Sequence, residues 1–211
     1  MASLLDSVIA SIADQDPELF SFAHYINKEL GEKIGVEGRF STSFFLDCLF
    51  GLQAGKQNIQ AVFSELLYLE GKSASQTKAE SMFARKPLKG FWHKHFMPGD
   101  MRNIGVNTQN ALKNYGIPVF DKFIEDAQKT GQEFLSEEQV LLAVDDAVSG
   151  NLARRRADQK MTGEWIIYTI HQGEKYYLGF AKHDDGDEAI YAQIKKAVAD
   201  FPWLTEFFGE V

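Results

Sequence analysis

With 211 residues, 45% of them hydrophobic and 13% aromatic, the chain holds enough apolar material for a packed core, which excludes disorder as its main state. A formal charge of −8 argues against a general binder of nucleic-acid backbone, and a single cysteine excludes an intrachain disulfide. The first residues lack the basic and apolar regions of a signal peptide, and no run approaches about 20 apolar residues, so the expectation is a cytoplasmic protein that does not enter a membrane.

In chain order, Leu4, Leu5, Val8, Ile9 and Ile12 form a helical stripe after Ser3. Asp16-Pro17-Glu18 then opens a second helix, with a capping carboxylate followed by proline at the first helical position. Gly31, Gly35 and Gly38 interrupt the pattern. Ser43–Leu52 is apolar almost all round, with Asp47 as its one charge and Cys48 as a buried thiol, which predicts a central helix surrounded by others. After Gly51, Gly55 and Lys56, the residues Ile59, Val62, Phe63, Leu66 and Leu67 predict a further helix ending near Gly71. Ser73-Ala74-Ser75-Gln76 has capping-box spacing and predicts a short helix over 73–81. A basic, turn-rich stretch, Arg85–Gly90, leads into Phe91–Phe96. Pro98-Gly99-Asp100 starts a helix that ends at Gly116, and Pro118 starts the next, which runs to Gly131. Val140–Val144 fits either a strand or a helix; the capping box of Ser136 with Gln139 and the stop at Ser149-Gly150 favour helix. As a strand it would be the third strand of a sheet, with Asp145 and Asp146 at its end.

The strongest signal lies in 164–183, where two strand-like runs flank Gln172-Gly173-Glu174-Lys175. Glycine at the first central position predicts a type II′ hairpin turn. That turn would place His171 opposite Tyr176, Thr169 opposite Leu178, Ile167 opposite Phe180 and Glu164 opposite His183. Both faces are largely apolar, so the ribbon has to be covered. Ile190, Tyr191, Ile194, Ala197, Val198 and Phe201 predict an amphipathic helix over 187–201, capped by Asp187 and stopped by Pro202. The fold class is therefore α+β and mostly helical. Its predicted units are an N-terminal helical body, residues 1–131, and a small α+β unit, residues 132–211, packed together.

Five constellations can carry chemistry. His93 and His95, two residues apart, would point the same way from an extended segment, as two metal ligands or as a base with its orienter. Asp145 and Asp146 are adjacent carboxylates suited to a divalent metal. Glu164 opposite His183 would raise and orient an imidazole for acid–base work. His183–Glu188 is an acidic turn that lacks the ligand order of a calcium-binding loop, and helix capping accounts for it. Arg154, Arg155 and Arg156 form the densest basic cluster, suited to nucleic acid if the hairpin aromatics stack bases. There is no glycine-rich phosphate loop, nucleophile elbow or HExxH motif. Two readings follow. One is a small hydrolytic, nuclease-like enzyme using His183, Glu164, His93 and His95, with Asp145 and Asp146 as metal ligands. The alternative is a non-catalytic regulatory or inhibitor-like protein that binds a protein partner through the hairpin.

Overall fold

The computed structural model describes residues 4–55 and 58–208, so Ser3 and Lys56 lie outside the described residues. Helices α1 (Leu4–Gln15), α2 (Pro17–Lys28), α3 (Thr42–Gln53) and α4 (Ile59–Leu69) come first. Asp16 accepts the backbone N–H groups of Glu18 and Leu19 and so fixes the start of α2. After Lys28 the chain continues as a π-helical turn, Glu29–Ile34, which Gly35 ends with a φ of 78° that glycine adopts without strain. Four antiparallel strands follow in spatial order β1-β2-β3-β4: β1 (Ser81–Met82), β2 (Trp92–Phe96), β3 (Glu164–His171) and β4 (Glu174–Ala181). The molecule is thus a mostly helical α+β fold.

The sheet separates two cores. Phe96, Ile166, Tyr168, Tyr177 and Phe180 face the helical body, where they pack with buried side chains of α2, α3 and α4 such as Ile26, Phe44, Leu49 and Leu66. Ile167, Leu178 and Ala181 face the other way, onto Ile190 and Ile194 of α9 (Asp187–Lys195) and onto Ala197, Phe201 and Leu204 beyond it. α9 ends at Lys195 and gives way to a 3-10 turn, Lys196–Ala199, so the predicted 187–201 helix is shorter and tightens at its end. Both faces of the hairpin are therefore covered, as its apolar surfaces require.

α3 is the predicted central helix, but Phe50 is 51% exposed, so it is covered on most sides rather than all. The third strand of the sheet is β2, and Val140–Val144 lies within α7 (Glu137–Asp145), where both bonds of the Ser136–Gln139 capping box are made. No helix forms over 73–81. There Ser75 Oγ accepts the Thr77 N–H at 3.1 Å, a local bond that competes with helix, and the segment runs into β1. The remaining helices, α5 (Met101–Tyr115), α6 (Pro118–Thr130), α7 and α8 (Asn151–Ala157), form a group joined to the sheet through Asn107. That fully buried amide donates to Thr162 O at 2.7 Å and accepts the Thr162 N–H at 3.0 Å, just ahead of β3.

The hairpin turn and register differ from expectation. Gln172 (φ 52°) and Gly173 (φ 85°) are the two central residues, so the turn is type I′, and His171 pairs with Glu174. Thr169 accordingly pairs with Tyr176. A bulge between Ile167 and Tyr168 then shifts the register once more, giving Ile167–Gly179 and Trp165–Ala181. A one-residue slip reverses the facing of every later side chain on β4, which is why Phe180 faces the helical body rather than sharing a side with Ile167.

Candidate functional site

Alternation along β2 sets His93 and His95 on the α9 side of the sheet and Lys94 on the body side. Register with β3 puts His95 beside Trp165 and His93 beside Ile167. Because the bulge reverses facing at the far end of the hairpin, His183 comes round to this same side. Its ring lies 4.2 Å from that of Trp165 and 5.2 Å from that of His95, stacked at 24°. His93 stands 4.9 Å from Trp165 and 5.9 Å from His95, with Phe83 closing the group 4.5 Å from His93. Three histidines that the sequence separates by up to 90 positions thus gather around one indole. Glu164 does not face His183 across the ribbon; it pairs with Phe96 of β2, and the expected ion pair is replaced by a contact through the backbone.

That contact is Gly163. His95 Nδ1 lies 3.2 Å from its carbonyl oxygen and 3.4 Å from its nitrogen, and the same backbone acts on His183, where it favours the protonated ring. A β-carbon at position 163 would come 1.9 Å from the Phe96 carbonyl, so only glycine allows β2 and the start of β3 to approach this closely. The close approach brings both imidazoles to one peptide group. His93 meets Ser81 Oγ through Nε2 at 3.2 Å, whereas His93 Nδ1 and Trp165 Nε1 are buried without a hydrogen-bond partner among the described residues.

Burial dominates the electrostatics. It lowers the pKa of His93 and of His95 from 6.5 to about 4, and proximity to His183 adds to the effect. His183 is lowered by burial, partly offset by the Gly163 backbone. Glu164 moves the opposite way, raised chiefly by burial against the pull of Lys182. His183 and Glu164 line one cleft of about 670 Å³ at the end of the sheet, together with Arg102, Lys182, Asp100 and Asp184. Arg102 pairs with Asp184 at 3.1 Å, but both side chains are largely exposed, so the pair is weak and exchangeable. The helix that carries Arg102 is fixed by Asp100, which accepts the Asn103 N–H at 2.7 Å.

The other candidate residues lie elsewhere. Asp145 and Asp146 stand where α7 gives way to a π-helical turn, and neither lines the cleft. Asp146 is held by the Arg154 guanidinium and by the Val119 N–H. Among the described residues, no group of three or more His, Cys, Asp or Glu side chains is arranged to hold a metal ion. The arginine cluster is divided in the same way. Arg154 serves Asp146, and Arg155 is buried against Asn107 and the Lys160 carbonyl. Arg156 lines a second pocket, of about 450 Å³, with Glu65, Ser75 and Thr77.

Sequence reasoning passed over three positions. Gly163 and Arg102 have no motif, since their roles come from a strand approach and a cleft wall. Lys94, between the two histidines, is fully buried; its ammonium pairs with Glu65 at 3.2 Å and donates to Ser75 Oγ at 2.9 Å and Thr77 Oγ1 at 2.7 Å. A charged residue inside an otherwise aromatic strand was the available signal, because a buried lysine requires partners. Searches of protein-family models, curated proteins and solved structures find no match to this chain.

Proposed function

We propose that the cleft is an acid–base site of hydrolytic, phosphodiester-cleaving type. The observation that supports it is that one cleft holds a carboxyl whose pKa is raised and an imidazole whose pKa is lowered. Environments that push two titratable groups in opposite directions divide the roles between them. His183, neutral, takes the proton from the attacking hydroxyl. Glu164, whose pKa burial raises, delivers a proton to the leaving oxygen. The two line the cleft without pairing with each other, which leaves the reacting group a place between them. Arg102 and Lys182 supply positive charge for the non-bridging oxygens, with Arg102 exchanging its exposed partner Asp184 for phosphate. His95 and Trp165 are positioning residues: His95 stacks on His183, the Trp165 indole packs tilted against it, and together they fix its ring.

Activity requires protonated Glu164 and neutral His183 together, so it falls toward acid as His183 takes up its proton and toward alkali as Glu164 loses its own, and the opposite shifts of the two groups broaden the window between these limbs. The test uses a labelled single-stranded RNA oligonucleotide and a chromogenic phosphodiester, with wild type, His183→Ala and Glu164→Gln each checked by thermal unfolding. The expected result is cleavage by wild type and a loss of about 10²–10⁴-fold in His183→Ala with its fold retained. Glu164→Gln should remove one limb of the bell-shaped pH profile. A folded, fully active His183→Ala protein would defeat the assignment, and wild type inert toward both diesters would defeat the phosphodiester reading.

A further inference from the structure

Apart from the cleft, α6 and α7 expose a run of large apolar side chains. Neither helix has a fully buried residue, although α6 is strongly amphipathic. Ile117, Phe120, Leu135, Val140 and Val144 line a wholly apolar groove of about 270 Å³. A second hollow, of about 160 Å³, shares Phe120 and Leu135 with the first and continues it to Phe134, which is 82% exposed. Leu141 and Val144 add exposures of 63% and 58%. A contiguous apolar surface of this kind marks a contact site.

Charge selects the occupant. Residues 117–148 carry eight carboxylates against two lysines, which is six of the chain's eight net negative charges. Among the described residues, only Asp146 is paired with a cation from outside the stretch, Arg154. An acidic segment that carries an apolar groove repels an anionic membrane and a nucleic acid, and it repels a second copy, which would bring the same charge to the interface. A segment with an apolar stripe and a cationic face satisfies both features at once. We propose that the α6–α7 groove binds a cationic amphipathic helix of a partner protein, its apolar residues in the two hollows and its lysines or arginines against the carboxylates of the same segment.

The probe is a labelled amphipathic helical peptide of about 18 residues made of leucine and lysine, with leucines at helical stripe positions. Its controls are the same peptide with glutamate for lysine and a permuted peptide with no stripe. Binding to the full chain is followed by fluorescence anisotropy at low and high salt. The expected result is affinity for the striped lysine peptide alone, weakened by salt and reduced at least about tenfold by Val144→Asp or Leu141→Asp. Both positions are exposed, so these variants should melt as wild type does. Equal binding of the permuted peptide would overturn the proposal, and so would unchanged affinity in both variants, because adhesion to a generally acidic surface gives those results. Light scattering that showed a dimer dissociated by Val144→Asp would assign the groove to self-association instead.

Discussion

Replacing Asp47 by Asn separates two opposing pH dependences built into the two sides of the sheet. Asp47, on α3, accepts the Phe180 N–H at 2.9 Å and the Gln193 amide at 3.1 Å. Burial raises its pKa from 3.8 to about 6. The folded state therefore holds this proton more tightly than the unfolded chain does, and stability falls as pH rises between 3.8 and about 6. The gap corresponds to about 3 kcal/mol at most. His93 and His95 act in the reverse sense. Their folded values of about 4 lie below the ordinary 6.5, so the unfolded chain takes up protons first and stability is lost as pH falls through that window. Each histidine again corresponds to about 3 kcal/mol at most, and their mutual repulsion makes the pair worth less than twice that. In the wild type the carboxylate and the imidazoles offset one another. Asn keeps an oxygen that accepts both bonds but cannot ionise. Between about pH 4 and pH 7.5 the unfolding free energy of Asp47→Asn, relative to wild type, should rise by about 2–3 kcal/mol. Guanidinium denaturation at a series of pH values measures it, and His93→Phe should gain relative to wild type on acidification instead. A pH-independent offset for Asp47→Asn would refute the reasoning, since it would mean the carboxyl titrates alike folded and unfolded.

Removing the buried ammonium in Lys94→Met leaves Glu65 without its cation and should cost about 3–5 kcal/mol in chemical denaturation, with the double variant Lys94→Met/Glu65→Gln recovering part of the loss. A loss below about 0.5 kcal/mol would show the pair to be solvated. Gln172→Asn tests the turn, since Asn-Gly is the preferred central pair of a type I′ hairpin and Gln172 has a φ of 52°. It should raise stability by about 0.5 kcal/mol, whereas a turn centred on Gly173 and Glu174 would leave it unchanged.

Elements with a local cause were legible in the sequence. Asp16 and Ser136 cap helices through side chains that bond backbone a few residues away, and Ile190 with Ile194 marks a stripe that needs no knowledge of what it packs on. The third strand was not legible, because Trp92–Phe96 owes its conformation to pairing with residues about 70 positions later. The same holds for 73–81, whose capping-box spacing was real but whose hydroxyls went to Lys94, a partner supplied by the tertiary fold.

The site was legible by residue type and not by geometry. His93, His95 and His183 all reach one cluster, and Glu164 shares the cleft with His183, yet the pairing that motivated the choice of Glu164 does not occur. Two register changes are the reason: the type I′ turn moves β4 by two residues against β3, and a bulge then moves it by one. With an unbroken ladder His183 and Glu164 would share one face of the ribbon. The slip at Ile167/Tyr168 reverses the far half of β4, sending His183 to the histidine face and leaving Glu164 to approach the cleft from β3. Under the proposed acid–base reading, that displacement serves better than the expected ion pair would. An imidazole bonded to a carboxylate would have its pKa raised and the carboxyl's lowered, whereas separation by the Gly163 peptide lets burial move each group in the opposite, catalytically useful direction.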